Sequence, residues 1–84
     1  PQLYYDLANL YSGEDRYEEA IRLYERAINL KPEYIDAYNN LANIYSIIGE
    51  TNKAIALYNK AIEIDPKYIK TYTNLGNLYN RLGN

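Results

Sequence analysis

The sequence predicts an all-α fold, a solenoid of stacked helical hairpins with five antiparallel helices. Three observations carry this prediction. Pairing each residue with the one 34 positions on gives 14 identities in the first 34 pairs, among them Tyr4/Tyr38, Leu7/Leu41, Tyr11/Tyr45, Ala20/Ala54, Tyr24/Tyr58, Ala27/Ala61 and Pro32/Pro66. The register runs on without insertion into Tyr72, Leu75 and Tyr79. Each period holds two helical apolar patterns, each closed by a glycine- or proline-containing stop. A strict period of this length marks units that cannot bury their apolar faces alone and so stack on one another.

Residues 3–12 place Leu3, Tyr4, Leu7, Ala8 and Tyr11 on one helical face. The break Gly13-Glu14-Asp15-Arg16 follows. Asp15 is placed to cap the next helix, with Glu18 completing a capping box. Residues 17–30 carry Ala20, Ile21, Leu23, Tyr24, Ala27, Ile28 and Leu30, again helical. Pro32 lacks an amide N–H and disfavours helix at Lys31, which ends this element. The second period repeats the plan, with helices over about 36–48 and 52–64 and stops at Gly49 and Asp65-Pro66. A fifth helix spans about 70–82 and ends at Gly83. The chain thus reads as a single domain, 1–84, made of repeat 1–34, repeat 35–68 and half repeat 69–84.

Composition narrows the function classes. The hydrophobic content of 48% suffices for a core, but 84 residues bury only a modest fraction of their surface. All 12 aromatics are Tyr, and the chain has no Cys, His, Met, Trp or Phe. Without Cys or His, a hydroxyl nucleophile lacks its usual base. No Gly-rich phosphate loop or metal-ligand cluster is visible, so neither an enzyme nor a cofactor is expected. No stretch reads as a signal peptide or membrane span, which predicts a soluble chain, intracellular if natural. Charge runs from net −3 over 1–34 through −1 over 35–68 to +2 over 69–84. No basic stripe for nucleic acid appears.

The positions Tyr4, Leu7, Ala8, Tyr11, Ala20, Tyr24, Ala27 and Pro32, repeated at Tyr38, Leu41, Ala42, Tyr45, Ala54, Tyr58, Ala61 and Pro66 and begun again at Tyr72, Leu75, Gly76 and Tyr79, resemble the tetratricopeptide repeat. The resemblance covers the whole chain. It implies a right-handed α-α superhelix and a protein-interaction scaffold whose concave face holds extended peptides. One departure is that Asp15 stands where later units have Gly49 and Gly83, so the first turn is expected to be altered or strained.

A 100° step along the first helix of each unit puts Tyr5, Asn9, Asn39, Asn40, Asn43, Lys70, Asn74, Asn77 and Arg81 on the arc opposite the core, which the resemblance makes the concave face. These are the candidate peptide-contacting residues. Asn9, Asn43 and Asn77 recur at the period, as do Asn40 and Asn74. A carboxamide offers two donors and an acceptor, which suits a peptide backbone. The competing reading is a solvated polar face. Asn9, Asn40 and Lys70 match a carboxylate clamp known in chaperone-cofactor members of the family, but Tyr5 and Asn74 stand where that clamp has cations, so it is not expected here.

The last helix keeps Tyr72, Leu75, Leu78 and Leu82 with no partner helix after it. This flank is a candidate for self-association. The missing initiating Met and the half unit read as an excised piece or an engineered repeat protein. In the latter case folding or self-assembly, rather than a native ligand, is its behaviour.

Overall fold

A computed structural model describes residues 1–83. Five helices follow in order: α1 (Gln2–Gly13), α2 (Tyr17–Leu30), α3 (Ile35–Ile47), α4 (Thr51–Ile64) and α5 (Ile69–Arg81). Each expected helix is present with its ends within a residue of the predicted ones. The chain is a helical-repeat solenoid. α1 packs on α2 and α3 on α4 as hairpins, α2 packs on α3, and α5 lies against both α3 and α4.

Small residues set the hairpin spacing. Ala8 and Ala20 are fully buried in the first hairpin, Ala42 and Ala54 in the second. With no side chain beyond Cβ, these helices approach closely and bury the larger residues around them. Tyr24, Leu41 and Ile44 join the first core cluster, and Tyr58 and Leu78 the second. Leu78 is therefore a core residue, only 2% exposed, because α5 turns it onto Ala42, Ala54 and Tyr58. It is not available on an open flank, as the sequence pattern had implied. Leu75 is half-buried, whereas Tyr72, Tyr79 and Leu82 remain exposed.

The hairpin turns are built alike. Arg16 N–H bonds Tyr11 C=O at 2.9 Å, and Glu50 N–H bonds Tyr45 C=O at 2.8 Å. Both bonds close the preceding helix through a residue in the left-handed region. That residue is Gly49 at φ 88° in the second turn and Asp15 at φ 61° in the first. Asp15 therefore carries the expected strain, since a Cβ disfavours this conformation. It does not cap α2. No side chain caps that helix, and Glu18 completes no capping box. The Asp15 carboxylate instead accepts from the Tyr17 hydroxyl at 2.9 Å.

Tyrosines stitch one unit to the next. The Tyr38 hydroxyl donates to Pro32 C=O at 3.0 Å and Tyr72 to Pro66 C=O at 2.7 Å, the same bond one period on. Tyr34, just before α3, donates to Gln2 Oε1 on α1 at 3.3 Å, and Tyr68, just before α5, to the Asp36 carboxylate on α3. Among the described residues, no helix is long and apolar enough to cross a membrane.

Candidate functional site

A recess of about 290 Å³ opens between α1 and α3, lined by Asn9, Ser12, Gly13, Tyr24, Asn40 and Asn43. Three of these are carboxamides the sequence singled out. Their orientation comes from bonds the sequence reading did not foresee. The Tyr24 hydroxyl, carried by α2, donates to Asn9 Oδ1 on α1. One period on, Tyr58 on α4 donates to Asn43 Oδ1 on α3. Asn40 Nδ2 also donates to Asn9 Oδ1 at 3.0 Å and to the Tyr5 hydroxyl at 3.1 Å.

These bonds decide what the recess can offer. An amide oxygen that takes a hydroxyl proton leaves its NH₂ to donate elsewhere. Asn9 and Asn43 thus keep their Nδ2 donors. Asn40, with its NH₂ engaged twice, keeps its Oδ1 acceptor. The row reads donor, acceptor, donor. Burial pushes the Tyr24 and Tyr58 hydroxyls up to about 12, so both stay protonated donors at neutral pH.

The other expected site residues divide. Tyr5 is half-buried wall rather than a free stacking platform. Its ring lies 6.0 Å from Tyr24 and 4.9 Å from Tyr34. Asn39 is a correction: it is fully buried, because α5 covers that side of α3, and its Nδ2 donates to Thr71 Oγ1 at 3.0 Å. It cannot contact a ligand on the open face. Asn74 is half-buried with its Nδ2 turned inside and unpartnered, as is Asn39 Oδ1. Lys70, Asn77 and Arg81 are exposed on α5, and Arg81 donates across to Ser46 Oγ on α3.

A second feature was not singled out from the sequence. On another side of α3, an apolar groove of about 340 Å³ runs between α2 and α4, with Tyr38, Leu41 and Tyr45 as its floor. The period-related recess beside α1, about 370 Å³, has Tyr4, Leu7 and Tyr11 in the same roles. The signal was the repetition of those three residues, which also serves the core.

Family comparison decides the class. Tetratricopeptide repeat models match residues 2–67 and 57–84. The chain belongs to the tetratricopeptide repeat family. Two crystal structures of MamA are similar to it, both at 38% identity over 98% of this chain, with TM-scores of 0.89 and 0.88. The chain spans 48% and 45% of those two chains, about half their length. No curated protein matches the sequence. As a tetratricopeptide repeat, the chain is a protein-interaction scaffold.

Proposed function

We propose that the face formed by α1, α3 and α5 binds an extended segment of a partner protein through its backbone. The observation that carries this reading is the tyrosine-fixed row of Asn9, Asn40 and Asn43, which offers a donor, an acceptor and a donor side by side. An extended peptide presents C=O and N–H groups in alternation and meets such a row without regard to its side chains. Lys70, Asn77 and Arg81 extend the surface toward α5.

The test is a displayed library of random dodecapeptides, selected on the chain and then measured against Asn9→Asp and Asn43→Asp. Aspartate keeps the oxygen that Tyr24 or Tyr58 needs but replaces the outward NH₂ with an acceptor. Binders should lose roughly tenfold or more in affinity, as expected when a donor is exchanged for a repelling acceptor. They should also lose binding on backbone N-methylation. Binders indifferent to both changes contradict the reading.

A further inference from the structure

The first helix of each unit carries a different residue at one shared place on the open face. Gly13 on α1, Ile47 on α3 and Arg81 on α5 are related by the 34-residue period. Each follows its asparagine, Asn9, Asn43 or Asn77, by about one helical turn. Gly13 lines the recess beside Asn9. Ile47 is 52% exposed. Arg81 is exposed and reaches back over α3, where its guanidinium donates to Ser46 Oγ. Ser46 lies close after Asn43 on the same helix, so the cation is held at the end of the carboxamide row. Burial raises the Tyr58 hydroxyl, and the Arg81 charge offsets part of that rise, which puts this charge near the Tyr58–Asn43 bond. One N–H of the guanidinium serves Ser46, and the others can still donate. Among the described residues no ion pair includes Arg81, and residues 69–83 contain no acid. The place of Arg81 is set by α3, an element that precedes it in the chain.

We infer that, on the face the peptide reading assigns, Arg81 and Ile47 select side chains of the bound segment: an Asp or Glu carboxylate at Arg81, and an apolar side chain at Ile47. Packed neighbouring helices have axes about 8–10 Å apart. An extended chain advances about 3.3 Å per residue. The acid and the apolar residue therefore stand about three positions apart in the segment. A guanidinium meets a carboxylate with paired, charge-assisted hydrogen bonds. The carboxamide row reads backbone, which all segments share, so discrimination comes from these two contacts. The charge of the chain agrees: net −3 over 1–34 repels an acid from the α1 end, and net +2 over 69–84 draws it to α5. Lys70 is no substitute. It stands about three turns earlier on α5, roughly 16 Å away along the helix.

The probe is the random dodecapeptide library, displayed so that no peptide has a free C-terminus. It is selected in parallel on the wild-type chain, Arg81→Gln, Arg81→Glu and Lys70→Gln. The wild-type pool should be enriched in Asp or Glu at one register, with an apolar residue about three positions from it. Arg81→Glu should replace that acid with Lys or Arg and keep the apolar register. Arg81→Gln should remove the acidic preference, and Lys70→Gln should leave it. For one wild-type binder with both ends blocked, neutralising its acid should weaken binding roughly five- to tenfold. Arg81→Gln in the chain should do the same, and the two together no more than either. Ile47→Ser should weaken the same binder, and less so once its apolar residue is Ala. A pool with no acidic register, one that keeps it on Arg81→Glu, or one that loses it on Lys70→Gln overturns the inference. Unchanged affinity for Ile47→Ser overturns the apolar contact. Binders that lack the acidic register yet weaken with Asn9→Asp and Asn43→Asp overturn this inference and leave the peptide reading standing. Binders that need Arg81 but not those asparagines do the reverse, and no binder at all overturns both.

Discussion

Asn40 holds the two hairpins together with both hydrogens of one amide, one given to Asn9 Oδ1 at 3.0 Å and one to the Tyr5 hydroxyl at 3.1 Å. α3 is thereby tied to α1 on the open side of the solenoid, opposite the apolar cores. Asn40→Ala removes both bonds, leaving the half-buried Tyr5 hydroxyl without this donor and the exposed Asn9 Oδ1 with the Tyr24 hydroxyl alone. Such a loss costs about 1–2 kcal/mol. Thermal unfolding should show Tm lowered by roughly 5–10 °C. An unchanged Tm would mean the tie contributes nothing.

The seam between α3 and α5 should respond in the opposite sense. There Asn39 Oδ1 and Asn74 Nδ2 are buried without partners. They stand one period after Tyr5 and Asn40, but Asn39 lacks the reach of the tyrosine and the equivalent bond is not made. Replacing polar groups that lack partners with apolar ones of similar shape is near neutral or stabilising. The triple variant Asn39→Leu, Thr71→Val, Asn74→Leu, which also removes the buried Thr71 hydroxyl that Asn39 bonds, should hold or raise stability by up to about 2 kcal/mol in denaturant titration. A loss of more than about 1 kcal/mol would contradict the account of this seam.

Two glycines separate backbone need from side-chain space. Neither would bring a new Cβ within 4 Å of another atom, but Gly49 lies at φ 88° and Gly76 within α5 does not share that conformation. Gly49→Ala should destabilise by about 1 kcal/mol because alanine resists the left-handed region. Gly76→Ala should stabilise by about 1 kcal/mol through helix propensity. Equilibrium unfolding of both variants gives the two signs side by side.

Alkaline pH should unfold the chain. Burial raises Tyr24 and Tyr58 from 10.0 to about 12, and a hydrogen bond to Asp36, then burial, does the same for Tyr68. The folded chain therefore keeps protons that the unfolded chain releases. The stabilisation is complete below pH 10 and is lost as pH rises toward 12. Tyrosinate absorbance in the folded state should lag behind that of a urea-unfolded sample over this window. Coincident titration curves would contradict the burial of these hydroxyls.

The helices were legible because every one ends at a local signal: Pro32 and Pro66 stop α2 and α4, and a left-handed residue stops α1, α3 and α5. The Tyr24–Asn9 and Tyr58–Asn43 bonds were less so. Both partners repeat at the period, but the pairs are 15 residues apart and meet only across a turn. A helical wheel considers one helix at a time, so it placed Asn39 on the open arc and Leu78 on an open flank. Both are buried where α5 crosses α3 and α4, a packing that the wheel of neither helix contains. Asp15 has the side chain of a helix cap, but its place in the repeat, where Gly49 recurs, fixes it in the turn instead.

The most direct test of the central claim is the affinity of one selected dodecapeptide for the wild-type chain and for Asn9→Asp/Asn43→Asp, measured by calorimetry alongside Tm. The account predicts a Tm close to wild type and an affinity lower by tenfold or more, since the hydroxyl acceptors remain and only the outward donors are lost. Equal affinity at equal Tm would show that the carboxamide row does not hold the peptide.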